Sequence, residues 1–92
     1  MTHIQISNPD DMVRLLGGRS SLRCFIQLNF GGRSVKRIRY DRRRRLFNVL
    51  NLIDGSRQML SADQIMDTGL TNIGEAMRLG AFYAELPEES SN

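Results

Sequence analysis

The chain has 92 residues, 40% of them apolar and 25% charged, with thirteen Lys and Arg against ten Asp and Glu. Those proportions are ordinary for a soluble globule, and no apolar run approaches the ~20 residues that span a bilayer. One cysteine, Cys24, excludes an internal disulfide, and Met1-Thr2-His3-Ile4-Gln5-Ile6 lacks the basic and apolar regions of an export signal, so a reducing cytoplasm is the expected setting.

One domain over residues 1–92 is expected, with an ordered core of about 8–86, a frayed N-terminus holding His3, and a polar acidic tail at 87–92. The first predicted element is a helix. Asn8 fits its N-cap, Pro9 its first position and Asp10-Asp11 its positive dipole end, while Met12, Val13, Leu15 and Leu16 form an apolar face before Gly17-Gly18. Leu22, Cys24, Ile26, Leu28 and Phe30 alternate with more polar positions, a strand leading to a two-residue Gly31-Gly32 turn. Arg33–Tyr40 is a second strand, with Ile38 and Tyr40 on one face and Val35, Arg37 and Arg39 on the other. A turn around Asp41–Arg44 leads to a third, apolar strand over 46–53, and Asp54-Gly55 returns the chain as a short fourth strand, Ser56–Leu60.

The period then changes. Ser61 with Gln64 forms a capping box for a short helix, and Asn72 with Glu75 repeats the pattern for a second, which carries Ile73, Ala76, Met77 and Leu79 to a Gly80 stop. Residues 81–86 extend that helix or add a strand. The expected fold is α+β: an N-terminal helix, a four-stranded antiparallel β-meander, and one or two short C-terminal helices packed on one face.

Charge is segregated along this order. Twelve of the thirteen basic residues fall between Arg14 and Arg57, against only Asp41 and Asp54, so this stretch carries +10 while both flanks are acidic. Four basic residues form the unbroken run Arg42-Arg43-Arg44-Arg45. In a meander, alternate turns share one end of the sheet, so the run should lie beside the start of the first strand, near Arg19 and Arg23. Arg37 and Arg39 should extend the charge along the sheet. Guanidinium groups suit bidentate contact with phosphate or carboxylate, which makes this rim the candidate site. Phe25 shares its parity with Arg23 and Gln27. It is either a base-stacking aromatic on an open face or, the favoured expectation, a core residue under the helices.

Chemistry is sparse elsewhere. Gly31-Gly32-Arg33-Ser34 and Asp54-Gly55-Ser56 lack the spacing of phosphate-cradling loops and read as hairpin turns. Cys24 has core parity, His3 is the lone histidine, and no set of side chains has metal-ligand spacing. Catalytic residues, cofactor and metal are therefore not expected. The helix–strand–strand–strand…helix order resembles the double-stranded RNA-binding domain in outline. That family opens its last helix with a lysine-rich motif, whereas Thr71-Asn72-Ile73-Gly74-Glu75-Ala76 has no basic residue, so no membership follows.

The expected function is a non-enzymatic binding module whose arginine-rich sheet end engages nucleic acid or an acidic protein surface, nucleic acid marginally ahead. The alternatives are a protein-interaction factor, such as a phage-derived inhibitor or accessory protein docking on a host complex, and a homo-oligomer burying Phe47, Val49 and Ile53. Charge order also raises a competing role for the acidic tail, as a screen that folds back over the arginines.

Overall fold

Asn8 sits in extended backbone, and its side-chain oxygen accepts a hydrogen bond from the Asp11 amide at 2.9 Å, a cap worth about 1 kcal/mol. The helix it starts, α1 (Pro9–Leu16), buries Met12 and Leu16 and ends at Gly17, whose φ is 48°. This much follows the sequence pattern. The computed structural model describes residues 1–87. Beyond α1 it contains β2 (Leu22–Gln27), β3 (Arg33–Asp41), β4 (Leu46–Asn51), β5 (Arg57–Leu60), α2 (Ala62–Ile65) and α3 (Ile73–Arg78), flanked by β1 (Thr2–Gln5) and β6 (Phe82–Leu86).

The α+β class holds, but the sheet has six antiparallel strands in the order β1-β6-β2-β3-β4-β5, not four. The expected meander survives as β2–β5. The two additional strands lie at the extremes of the described chain. Each is short and supports the other: β6 pairs with β2 on one side and with β1 on the other. His3 is therefore held in a strand rather than frayed, and Ile6 just beyond it is fully buried. Residues 81–86 resolve as strand from Phe82 onward.

One face of the sheet carries all the helices. Met12 and Leu16 from α1, Ile65 from α2, and Ile73, Ala76 and Met77 from α3 share a core with Leu22, Cys24, Ile26, Ile38, Phe47, Val49, Leu60, Phe82 and Ala84. Each large side chain buried there contributes roughly 1.5–3 kcal/mol. Phe47 and Val49 are consumed by this core, at 1% and 2% exposure, so the oligomer interface expected from them has only the 70%-exposed Ile53 left. Gly74 lets α3 lie against α2, since a Cβ there would stand 2.6 Å from Met66 Cα.

The two hairpin loops differ in length and in glycine position. The β2–β3 hairpin closes through three residues, Asn29-Phe30-Gly31, with Gly31 at φ 88° and Leu28 N donating to Gly32 O at 2.9 Å. The β4–β5 hairpin uses four residues, 52–55, with Gly55 at φ 76°. Ser61 and Gln64 form the expected capping box on α2. The corresponding expectation at α3 does not hold: Asn72 makes no capping hydrogen bond, and Thr71 Oγ1 accepts from the Ile73 amide instead. Among the described residues no helix is long and apolar enough to cross a membrane. The expected acidic tail lies, apart from Pro87, outside the described residues.

Candidate functional site

With every helix on one side, the other face of the sheet is free of helices, and strand parity fixes what it displays. One cross-strand row runs His3, Glu85, Arg23, Arg37, Leu50, Arg57, each directly opposite the next. Six strands at the usual spacing give this row a span of about 24 Å. A neighbouring row sets Arg39 opposite Asn48 and Asn48 opposite Met59.

The row divides into two electrostatic halves. In the first, Glu85 is paired with Arg23 at 3.0 Å and Arg33 at 3.4 Å, with His3 Nε2 at 3.9 Å. Phe25 lies beside this cluster, stacked on Tyr83 (5.3 Å between centroids, 21°), met edge-on by His3 at 5.0 Å, and covered by the Arg33 guanidinium at 4.4 Å. Phe25 is thus 2% exposed, as a core residue would be, but on the helix-free face and under side chains rather than helices. It is closed to a stacking base. Glu85, close to the expected acidic tail in sequence, is fixed in β6, the second strand from the sheet's edge.

The second half has no counter-charge among the described residues. No carboxylate among the described residues pairs with Arg37, Arg39 or Arg57. These three side chains, with Asn48 and Leu50 as the floor, line an open hollow of about 120 Å³. Asn48 Oδ1 is buried there with no hydrogen-bond partner. A buried acceptor left without a donor costs about 1–3 kcal/mol. Beside the hollow, a broader basin of about 410 Å³ is lined by Arg19, Arg23 and Arg37, so Arg37 belongs to both.

The arginine run forms the β3–β4 turn. Asp41 Oδ1 accepts from the amides of Arg43 and Arg44 at 3.0 and 3.1 Å, and Arg45 takes the left-handed conformation at φ 56°. Arg44 Nε lies 3.8 Å from the Asp41 carboxylate. Arg42 donates to Gly17 O at 3.2 Å and Arg19 to Leu15 O at 2.9 Å, so both guanidiniums sit at the C-terminal end of α1, where the helix dipole favours cations. The structure brings Arg19 and Arg42 to one end, as turn order implies, and places Arg23, Arg37 and Arg39 on the helix-free face. Of these, Arg23 is neutralised by Glu85.

Sequence reasoning left Arg57, Asn48 and Leu50 out of the site. Their shared face was recoverable from the β4–β5 parity, since Arg57 stands opposite Leu50 and Leu50 opposite Arg37.

The remaining reactive groups are occupied by folding. Burial, reinforced by the negative charge of Glu85, pushes the Cys24 thiol up to about 12, far from a nucleophile at neutral pH. Lys36 is on the helix-covered face with 7% exposure, and burial lowers its pKa against the opposing pull of Asp54. Among the described residues no group of three or more His, Cys, Asp or Glu side chains is arranged to hold a metal ion. No protein-family model, curated protein or solved structure matches this chain.

Proposed function

We propose that the chain is a non-enzymatic binding module that engages a polyanion, nucleic acid ahead of an acidic protein surface, through the helix-free face of its sheet. The observation that supports this most is the convergence of Arg37, Arg39 and Arg57 with no carboxylate partner among the described residues. Three like charges held together repel one another, and an external anion relieves that cost. The shared basin carries the surface on to Arg19, past Arg23 and the Glu85 that neutralises it. The β3–β4 turn adds Arg43, Arg44 and Arg45, all exposed.

Fluorescence anisotropy with labelled single-stranded and duplex oligonucleotides tests this over roughly 50–200 mM salt. Affinity should fall linearly on a log–log plot. Replacing Arg42–Arg45 by Ser should lower the magnitude of the slope by about one for each phosphate no longer neutralised. Absence of any binding at the lowest salt would overturn the proposal.

A second reading, an accessory factor docking on a protein, draws support from the opposite end of the sheet. Leu28 (45% exposed), Phe30 (102%) and Ile53 (70%) lie in or beside the β2–β3 and β4–β5 loops at that end. Pull-down from nuclease-treated lysate that survives moderate salt and is lost in Phe30→Ser separates this reading from the first.

A further inference from the structure

We infer that the hollow between β3, β4 and β5 is a binding site for a single phosphate group, held by Arg37, Arg39 and Arg57 and preferring the dianionic monoester. This deepens the polyanion reading and rests on it only for the source of the phosphate, a strand end rather than a free nucleotide.

The geometry supplies each requirement of such a site. Arg37 and Arg57 flank Leu50 across two strand spacings, about 9–10 Å between backbones, and both line the hollow with it. Arg39 comes from the adjacent row of β3 and closes a third side. A guanidinium offers two parallel N–H groups to two oxygens, so three of them can meet a tetrahedral oxyanion from three directions. The hollow, about 120 Å³ and open outward, has room for that group with its ester substituent facing solvent.

Asn48 is the second, independent observation. Its Oδ1 is buried without a donor in the floor of the hollow. The NH2 group of the same amide is not buried in this way and is the end that can donate to a bound phosphate oxygen. An accessible amide donor and three arginines with no carboxylate partner among the described residues thus line one hollow.

Charge selects the form of the phosphate. A phosphodiester brings one negative charge, whereas a monoester at neutral pH carries about −1.5 to −2. Against three guanidiniums with no carboxylate partner among the described residues, the more highly charged form is favoured. The basin beside the hollow, lined by Arg37 and Arg19 with the Arg23–Glu85 pair between them, then offers the following diesters of the same strand Arg19 as a further cation.

The test compares a single-stranded 10-mer bearing a 5′-phosphate with the same strand bearing a 5′-hydroxyl, in buffer free of phosphate and sulfate. Adenosine monophosphate and inorganic phosphate serve as competitors. The phosphorylated strand should bind about tenfold more tightly. Asn48→Leu and Arg57→Gln should each reduce that preference to within about twofold; Arg57→Gln should also weaken the hydroxyl strand, because it removes a cation from the polyanion face, but by less than it weakens the phosphorylated one. Inorganic phosphate should erase the preference in the wild-type protein, an arm that needs no variant. Equal affinity for both strands, with no competition by phosphate, would overturn the site but leave the polyanion reading standing. Binding of adenosine monophosphate without binding of either strand would keep the site and sink the polyanion reading.

Discussion

Arg23 and Arg37 stand directly opposite each other on β2 and β3, yet only Arg23 has a carboxylate, Glu85 at 3.0 Å. Two arginines in one cross-strand pair should repel. Glu85 relieves one side of the pair and leaves the other without a carboxylate among the described residues, which divides the row into a neutralised half and a cationic half.

Glu85→Gln should therefore act in two directions. Arg23, Arg33 and His3 lose their shared carboxylate, and because both arginines are close to half exposed the loss of stability should be only about 1 kcal/mol, read by urea unfolding. Retention on a heparin column should increase at the same time, because Arg23 and Arg33 become available. Weaker retention would mean that Glu85 positions these side chains rather than occupying them.

Arg45 at φ 56° pays for the shape of the β3–β4 turn. Arg45→Gly should raise stability by about 1 kcal/mol, whereas Arg43→Gly should give no such gain. Thermal unfolding of the two variants checks this. If Arg45 contacts phosphate, the glycine variant will be more stable and bind polyanion less well, a separation that a purely structural turn residue would not give.

Gly74→Ala places a methyl 2.6 Å from Met66 Cα and 2.8 Å from Ile65 O, both backbone atoms that cannot swing away. The cost should be about 2–3 kcal/mol. Gly18→Ala, with nothing within 4 Å, is the control and should change stability little. Chemical denaturation of both variants gives the comparison.

Cys24 should be inert to thiol reagents at pH 8 in the native protein and react at once in denaturant. Its thiol is raised from 9.0 in the unfolded chain to about 12 when folded. The folded state thus holds the proton over that interval, and stability falls as pH rises from about 9 toward 12. The slope from this group is at most about 1.4 kcal/mol per pH unit. Cys24→Ala should remove it, as unfolding midpoints measured from pH 8 to 11 will reveal.

Local signals carried much of the fold. Asn8-Pro9-Asp10-Asp11 announces α1, Ser61 and Gln64 announce α2, and the alternation in Leu22–Ile26 shows which side of β2 is covered. β1 stayed hidden and β6 was left open between helix and strand, because each is short and is fixed by pairing with distant strands, a relation with no local trace. Phe25 shows the same limit: its parity was legible, but its cover comes from His3, Arg33 and Tyr83, all distant in sequence.

The register of the β2–β3 hairpin escapes local reading for a different reason. A two-residue Gly31-Gly32 turn would set Arg37 opposite Ile26 on the helix-covered face. The three-residue loop shifts the pairing by an odd step, bringing Ile38 opposite Leu22 and Arg37 opposite Arg23. Burial of the apolar set, not turn propensity, decides the register. For the site, the arginine run draws attention to Arg42–Arg45, yet Arg42 is engaged with Gly17, while the unpaired Arg57 looks in sequence like an isolated cation.

The seating of β6 between β1 and β2 has a topological outcome. Thr2 registers with Leu86, so the sheet's edge is knitted from opposite extremes of the described chain. β2 to β5 can zip hairpin by hairpin, but β1 gains no neighbour until β6 has docked, which makes that corner the slow, high-contact-order step of folding. The same closeness permits a circular permutant: a short linker bridging residues 87 and 1, with new ends opened in the Asn29–Gly31 loop, should leave the sheet intact and convert the slowest closure into a local one.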